Sequence, residues 1–169
     1  MIGWGLYRCG EPPRTSIVMI EVKKHSGPRD ALDVLFSEAD DSESQIASYR
    51  DLGEVLVALD DGKIVGHVQI IGHGGVAEIK SIAVYEGKRS LGIGAILIQA
   101  ALDRCREMDV RLVQVATAAA STDALKFYQR QGFRIRRIIR DFYIPERGYR
   151  PHVLNGIPLL DEVILDLEV

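Results

Sequence analysis

A chain of 169 residues, 47% of them hydrophobic and 27% charged, is long enough for one well-packed α/β domain and short for two. Its net charge of −3 gives no general reason to expect nucleic-acid binding, and no apolar run approaches the length of a membrane span. The first residues lack the pattern of a signal peptide, and Cys9 and Cys105 are too few for a disulfide framework. These features predict a soluble cytoplasmic protein in which Cys105 is a buried free thiol.

The N-terminal segment is predicted to lie outside the folded domain. Residues 1–15 end near two consecutive prolines and predict an irregular arm, followed by a single domain over residues 16–169. Trp4 and Tyr7 of the arm could pack either on a partner or on the domain. The sequence S-I-V-M-I-E-V at residues 16–22 predicts a first strand.

Two helices separated by an acidic turn are predicted next. Pro28 opens a helix that runs to about Ala39, and a second helix covers residues 44–52. The turn from Asp40 to Glu43 is interpreted as a solvated loop. The alternative is that its negative charge attracts a cationic substrate.

Three strands joined by tight turns follow. The turns read D-D-G-K at residues 60–63 and G-H-G-G at residues 72–75, and both favour antiparallel hairpins. The strands are predicted at residues 54–59, 64–71 and 76–85. His67 and His73 have no companions at metal-ligand spacing, so both are interpreted as structural and no metal site is predicted.

The stretch after the third hairpin strand reads E-G-K-R-S-L-G-I-G and leads into a helix over residues 93–108 with one apolar stripe. Neither Leu91 nor Gly92 can cap this helix with a side chain, so its first N–H groups need other partners. Bare amides, close approach at Gly94 and adjacent basic residues favour a phosphate or pyrophosphate. The alternative is a surface turn whose amides bond to water.

The remaining elements complete an α/β pattern. Residues 111–117 follow the helix closely and predict a strand parallel to the third hairpin strand. A short helix is predicted at residues 122–131, capped by Ser121 or Thr122 and ended by Gly132.

The C-terminal part is predicted to contain a long strand at residues 133–143, a loop rich in proline and glycine, and a last strand at residues 161–167. Four arginines interrupt the apolar alternation of the long strand: Arg134, Arg136, Arg137 and Arg140. We interpret them as a solvated face, because the aromatic pattern of an RNA-binding sheet is missing.

This order of elements resembles the GNAT superfamily of N-acetyltransferases, because two of its signatures occur in the expected places. The acyl-CoA signature is Arg or Gln, two residues, Gly, one residue, then Gly or Ala, and R-S-L-G-I-G at residues 89–94 matches it. The second signature, Ala-x-x-aromatic-Tyr-x-x-x-Gly-Phe, is matched by Ala124, Phe127, Tyr128, Gly132 and Phe133. The resemblance covers residues 16–167 and is to an uncharacterised bacterial subgroup.

The resemblance implies a mixed α/β sheet of the GNAT-like acyl-CoA N-acyltransferase fold, with antiparallel N-terminal strands and a central parallel pair splayed around the cofactor. It implies acetyl-CoA as co-substrate, no metal, and direct transfer of the acetyl group to a primary amine of a small molecule or peptide within a ternary complex. The implied cofactor-binding residues are Ile82, Ala83, Val84, Arg89, Ser90, Leu91, Gly92, Ile93, Gly94, Ser121 and Tyr128. Ser121 stands where many members have Asn, so the usual amide contact is not assumed.

Two residues are implied to be catalytic. Tyr128 matches the tyrosine that commonly protonates the departing CoA thiolate, and the alternative is that it only packs on the inner helix face. Glu78 is the candidate base, and the alternative is a Glu–Lys pair on an exposed strand edge. Glu78 would share one face of its strand with Lys80, Ile82 and Val84 unless a bulge intervenes.

Other classes of function remain to be compared. A sensor or scaffold that binds acyl-CoA without catalysis would use the same fold. A dinucleotide site is disfavoured, because position 97 is leucine and the preceding strands are hairpin-connected. No nucleic-acid or membrane partner is expected, and a homodimer through the C-terminal strands is possible. The turn between the first two helices and residues 145–158 are expected to select the acceptor.

Overall fold

The computed structural model describes residues 19–169, so the arm predicted at residues 1–15 lies outside the described residues. In chain order the helices and strands are β1 (Glu21–Lys24), α1 (Asp33–Ala39), α2 (Glu43–Tyr49), β2 (Glu54–Asp60), β3 (Lys63–His73), β4 (Val76–Val84), α3 (Ile93–Glu107), β5 (Leu112–Ala118), α4 (Thr122–Arg130), β6 (Arg134–Ile139), β7 (Val153–Leu154), β8 (Ile157–Pro158) and β9 (Glu162–Glu168). Short 3-10 turns precede α1 and lie before α3 and β7.

One seven-stranded mixed sheet carries the fold, in the order β1-β2-β3-β4-β5-β9-β6, and β7 and β8 form a separate small hairpin. The predicted antiparallel hairpins β2–β3 and β3–β4 are confirmed, as is the parallel pair β4–β5. The turn between β2 and β3 has positive φ at both Asp61 (49°) and Gly62 (74°), the geometry that a D-G hairpin requires.

The sheet buries apolar side chains on both faces. α3 covers one face with a stripe that includes Leu97, Ala101 and Cys105, all fully buried. α1 covers part of the other face with Leu35 and Phe36. The prediction of a buried thiol at Cys105 is confirmed, and burial raises its pKa to about 11.

Side chains of β3 and of the 3-10 turn before α1 donate hydrogen bonds to the end of α2 and to the residues that follow it. The Gln69 amide on β3 donates to the carbonyl groups of Tyr49 and Leu52 at 2.8 Å each. The guanidinium of Arg29 donates to the carbonyl groups of Leu52 and Gly53. These bonds satisfy the carbonyl of Tyr49 at the end of α2 and the carbonyls of the two residues that lead into β2, and they fix the position of α2 relative to the sheet.

The predicted first strand is misplaced. It was expected at residues 16–22, whereas β1 is Glu21–Lys24 and pairs with β2. Residues 16–18 lie outside the described residues. β1 pairs with β2 through Lys24, although residues 21–24 have no apolar alternation. The backbone hydrogen bonds, and not the side-chain pattern, define this edge strand.

The predicted long strand is shorter than expected. β6 ends at Ile139 instead of residue 143, because the backbone turns at Asp141, where φ is 52°. The amides of Phe142 and Tyr143 then donate to the carbonyl of Leu160 at 2.8 and 2.9 Å. This turn directs the two aromatic residues away from the sheet ladder, and the loop that follows contains the β7–β8 hairpin.

His67 is a structural residue, as predicted; the side chain of His73 lies outside the described part. The His67 ring is fully buried, its Nε2 lies 2.8 Å from Ser81 Oγ, and its centroid is 4.6 Å from that of Phe36. Burial lowers the pKa of His67 to about 4. The folded protein therefore holds this ring neutral.

A His67→Gln variant is expected to have a different pH dependence of stability from the parent protein. Because the folded pKa is about 4 and the unfolded value about 6.5, the neutral ring contributes its full stability above pH 6.5, and this is lost as the pH falls toward 4. The loss amounts to about 3 kcal/mol of unfolding free energy. Urea unfolding of both proteins across this range measures it. Parallel curves would contradict the assignment.

Candidate functional site

The ladder between β4 and β5 stops halfway along both strands. Val76–Ile79 pair with Leu112–Val115, and beyond these residues the two strands separate. β3 still pairs with the far side of β4, and β9 still pairs with β5 as far as Ala118. Backbone groups that β4 turns toward β5 after Ile79 therefore have no partner in β5, which leaves an open seam in the sheet.

A β-bulge lies in β4 at the start of this seam. Gln69 of β3 pairs with Ser81, whereas its neighbour Ile70 pairs with Ile79. Lys80 is therefore the extra residue, and the alternation of faces reverses at this point.

The bulge overturns one expectation from the sequence. Ile82 and Val84 pack against the core beneath α3. Lys80 instead lies over the ring of Tyr49, 5.3 Å from its centroid, on the side of α1 and α2. Glu78, Lys80, Ile82 and Val84 would share one face only without a bulge, and this condition is not met, because the inserted residue divides the strand into two halves of opposite phase.

Glu78 forms the ion pair that the sequence offered as an alternative to catalysis. Lys80 Nζ lies 3.2 Å from Glu78 Oε1. The pair does not stand on an exposed strand edge, because β4 is an interior strand and both side chains line a cavity. The ion pair and a role for Glu78 in chemistry are therefore compatible.

Tyr128 on α4 also lines this cavity, together with Ile82 of β4 and Thr117 of β5. The residue is 7% exposed and packs edge-on against Phe127 and Phe133. Burial raises the pKa of its hydroxyl, so the phenol stays protonated at neutral pH. Packing holds the ring, and the protonated hydroxyl remains able to donate.

The cavity has a volume of about 440 Å³ and reaches from the seam to the turn between α1 and α2. Asp40 and Asp41 of that turn line one part of the cavity. Aromatic residues of the C-terminal segment, residues 142–159, line another part: Phe142, Tyr143 and Tyr149. The two segments expected to select an acceptor thus meet at one cavity.

The C-terminal segment contacts the start of α2 through a hydrogen bond and a close backbone approach. The Gln45 amide donates to the carbonyl of Arg147 at 3.1 Å. Gly148 has φ of 86°, and a Cβ there would lie 2.5 Å from Ser44 Oγ. A glycine is needed both for this backbone conformation and for the close approach, which holds Tyr149 at the cavity wall.

The acidic turn faces the cavity rather than only solvent. Asp40 Oδ1 accepts a hydrogen bond from the amide of Ser42 at 2.9 Å, and its Oδ2 lies 3.4 Å from the Tyr49 hydroxyl. Burial, partly offset by these bonds and by Lys80, raises the pKa of Asp40. The alternative role of this turn, attraction of a cation, gains support from this placement.

Glu162 is a site residue that sequence reasoning missed. It begins β9, pairs with Ala118 at the end of β5, lines the same cavity and is 8% exposed. Burial raises its pKa to about 6. The only signal in the sequence was a charged residue in an apolar strand, D-E-V-I-L-D-L, and strand pairing decides where that residue points.

The start of α3 has free amides, as predicted. Gly92 occupies the N-cap position with φ of 80°, and no side chain bonds to the first amides of the helix. Ser90 in the preceding turn also has positive φ, 63°. A groove of about 510 Å³ against α4 is lined by Arg89, Ser90, Gly92, Ile93 and Gly94, whereas Leu91 is exposed outside it. Free amides at a helix start are suited to an anion.

α4 forms the opposite wall of the groove. A Cβ at Gly94 would lie 3.3 Å from the ring of Phe127, so glycine lets the start of α3 approach this ring. Lys126 and Arg130, one helical turn apart, add two positive charges to the wall. Sequence reasoning missed both residues, although their i,i+4 spacing on a predicted helix was visible.

The two basic residues next to the loop are engaged elsewhere. Lys88 Nζ lies 2.7 Å from Asp60 Oδ2. Arg89 forms an ion pair with Glu38 of α1, and its Nε donates to the carbonyl of Val84 at 3.0 Å. The arginine of the predicted signature therefore connects the loop to α1. Glu38 lines the cavity that Asp40 and Asp41 also line, which is called the acidic cavity below.

Ser121 does not cap α4 as predicted. It stands at the N-cap position with φ −84° and ψ 71°, outside the extended geometry of a capping residue, and makes no side-chain cap bond. Thr122 is also not a cap; its hydroxyl lies 3.5 Å from the Asn155 amide. Ser121 instead lines the acidic cavity.

Within residues 19–169, no three or more His, Cys, Asp or Glu side chains are grouped so that they could bind a metal ion. In the same range, none of the helices combines the length and apolar character needed to cross a bilayer.

Comparison with known proteins identifies the family. The model of the acetyltransferase (GNAT) family matches residues 18–133. The uncharacterised N-acetyltransferase YvbK of Bacillus subtilis is 30% identical over 133 residues, which are 78% of this chain and 84% of the relative.

Two solved structures share the fold at similar identity. The Bacillus subtilis acetyltransferase in complex with CoA is 26% identical, with a TM-score of 0.82 over 89% of this chain and 99% of the other. A GNAT family acetyltransferase from Elizabethkingia anophelis with acetyl-CoA bound is 29% identical, with a TM-score of 0.82 over 89% and 98%. Since the family model covers more than half of the chain, and both signatures lie where the structure forms the seam and the groove, this chain belongs to the GNAT acetyltransferase family.

Proposed function

We propose that this protein transfers the acetyl group of acetyl-CoA directly to a primary amine within a ternary complex. The observation that carries the proposal is the open seam between β4 and β5. Residues of β4 and α4 line both the acidic cavity and the groove at the start of α3. Ile82 and Tyr128 line the acidic cavity, and Val84 and Phe127 line the groove. A cofactor in the groove and an amine in the cavity would thus meet at Tyr128.

The cofactor is expected to bind along the groove and the seam. Its pyrophosphate would accept hydrogen bonds from the amides of residues 89–94, and Lys126 and Arg130 would add charge. Its pantetheine arm would pair with the free backbone edge of β4 at residues 82–84, in the manner of an added strand. The CoA and acetyl-CoA bound in the two related structures support the choice of acetyl-CoA as the cofactor.

The chemistry then requires three proton transfers. The acceptor ammonium loses a proton to Glu78, directly or through water, and the free amine attacks the thioester carbonyl. An amide of residues 82–84 stabilises the oxyanion of the tetrahedral intermediate. When the C–S bond breaks, the Tyr128 hydroxyl donates its proton to the thiolate. The proton that the attacking nitrogen still carries then passes to the tyrosinate, directly or through water, which leaves the neutral amide and restores the phenol. Neither a metal nor a covalent enzyme intermediate is needed in this sequence.

Ser121 is proposed to contact the cofactor arm. Its side chain is free of a cap bond and lines the cavity that begins at the seam. A hydroxyl there can donate to an amide carbonyl of pantetheine, which would replace the contact that an asparagine makes in many relatives.

A Glu78→Gln variant is expected to lose activity most strongly below neutral pH. Without the carboxylate, attack depends on the fraction of amine that is already unprotonated in solution, and this fraction falls about tenfold per pH unit. Initial rates of both proteins from about pH 6 to about pH 9 measure the effect. A ratio of rates that does not change with pH would argue against a base at this position.

The experiment that tests the function is a panel of amines with acetyl-CoA, followed by free thiol and by the mass of the acetylated product. The panel contains polyamines, aminoglycosides, amino acids and N-terminal peptides. Amine-dependent thiol release supports transfer. Binding of CoA without thiol release for any amine would instead support a non-catalytic sensor or scaffold.

Two finer expectations are part of the same proposal. A cytoplasmic location is supported by Cys105, a free thiol, in a protein that would use acetyl-CoA. A homodimer through the C-terminal strands is supported by β6, an edge strand of the sheet on which Ile135 and Ile138 are more than half exposed. Light scattering at several protein concentrations would test the dimer.

A further inference from the structure

The acidic cavity has more negative charge than its own cations balance. Five carboxylates line it: Glu38, Asp40, Asp41, Glu78 and Glu162. Lys80 is paired with Glu78, and Arg89 is paired with Glu38. Among residues 19–169, no ion pair is formed by the other three carboxylates. The uncompensated charge points to a ligand with more than one positive group.

Glu162 supplies independent evidence for a ligand. The residue is 8% exposed and lines the cavity, and its side chain receives no hydrogen bond from the described residues. The charged groups that face it are Lys80 and Glu78 of β4, Arg147 of the C-terminal segment and Arg137 of β6. A buried carboxylate without a hydrogen-bond donor is costly, and a bound cation would relieve that cost.

A pair of tyrosine rings lines the same cavity as Glu162 and Asp40. The ring centroids of Tyr143 and Tyr149 are 4.9 Å apart. Burial and then the charges of Glu162 and Asp40 raise the pKa values of both hydroxyls. Aromatic faces of this kind pack against methylene groups next to an ammonium.

We propose that the acceptor is a linear diamine or polyamine that spans the cavity from Glu162 to Asp40. One ammonium lies at Glu162, the second lies at Asp40, and the carbon chain between them packs on Tyr143 and Tyr149. Because Glu162 pairs with Ala118 at the seam, the nitrogen at Glu162 is the one that receives the acetyl group. The inference rests on the proposed function and specifies its substrate class.

The substrate test compares three four-carbon amines of different charge, together with spermidine, which is longer. Putrescine, spermidine, n-butylamine and γ-aminobutyrate are each assayed with acetyl-CoA at about pH 8, where the carboxylates are ionised. The value of kcat/KM for putrescine is expected to exceed that for n-butylamine by roughly 10- to 100-fold, the effect of one charge-assisted hydrogen bond. The carboxylate of γ-aminobutyrate should make it the poorest substrate. Equal values for putrescine and n-butylamine would overturn the inference.

The variant test separates the two ends of the cavity. Asp40→Asn should raise KM for putrescine by roughly 10-fold or more and leave n-butylamine unchanged. Glu162→Gln should raise KM for both amines. It should also raise the thermal unfolding midpoint by roughly 4 °C, because it removes a carboxylate whose charged form is disfavoured by burial. Glu21→Gln on the edge strand β1, which is exposed and lies outside the cavity, is the matched control.

The outcomes distinguish the inference from the function on which it rests. A Glu162 with a purely structural role would give a variant of lower unfolding midpoint and unchanged KM. A putrescine preference that survives Asp40→Asn would remove the second anchor. If another amine class is acetylated and these amines are not, the inference fails and the transferase remains. If no amine in the full panel is acetylated although CoA binds, the proposed function fails as well.

Discussion

Replacing Tyr128 with phenylalanine is expected to lower turnover by roughly ten- to a thousandfold, with little change in the affinity for CoA. The hydroxyl is the only group that the change removes. The ring is held by Phe127 and Phe133, and these contacts persist in the variant. Since burial keeps the phenol protonated, the parent protein always has the acid form ready for the leaving thiolate. Single-turnover thiol release measures the chemical step, and calorimetric titration with CoA measures affinity.

A matched control is available on the same chain. Tyr85 is half-buried and lines neither cavity, so Tyr85→Phe should leave turnover unchanged. Unchanged turnover in Tyr128→Phe would remove this residue from the mechanism. A loss of CoA affinity as large as the loss of rate would make Tyr128 a binding residue instead of an acid.

Replacing Gly92 with valine is expected to weaken acetyl-CoA binding by roughly 10- to 100-fold. Gly92 has φ of 80°, a conformation that costs a β-branched residue about 2 kcal/mol or more. Relief of this strain would rotate the amides at the start of α3 away from the groove, and these amides are the proposed pyrophosphate donors. Calorimetric titration with CoA, or KM for acetyl-CoA at a saturating amine, measures the effect.

Gly87 provides the control for this change. It lies in the 3-10 turn of the same connection, its φ is not positive, and no atom comes within 4 Å of a Cβ built on it. Gly87→Val should therefore leave the CoA affinity close to that of the parent protein. If Gly92→Val binds CoA normally and unfolds at the same temperature, the pyrophosphate does not depend on this helix start.

Much of the fold could be predicted because its signals are local. The hairpin turn at Asp61 and Gly62 is encoded by a dipeptide, and the apolar stripe on α3 is encoded by spacing. The uncapped helix start could be predicted because only a few neighbouring residues decide whether a cap exists. The two signatures, one on each side of the groove, supplied the family.

The site was less predictable because it depends on pairings between distant segments. The bulge at Lys80 exists only in the ladder with β3, and it decides which side chains of β4 face the cavity. Glu162 enters the site because β9 returns between β5 and β6. The turn at Asp141, which β6 alone does not reveal, brings Phe142 and Tyr143 to the same place. A single sequence contains no direct signal for such register.

The two faces of α4 line different sites, which has a consequence for how relatives of this protein can differ in their acceptors. One face of this helix, with Phe127 and Arg130, belongs to the groove, and the other, with Ala124 and Tyr128, belongs to the acidic cavity. The rest of the cavity wall includes the α1–α2 turn and residues 142–159, none of which line the groove. Exchange of these two segments between relatives should therefore transfer the acceptor preference of one protein to the other, while the affinity for acetyl-CoA stays the same.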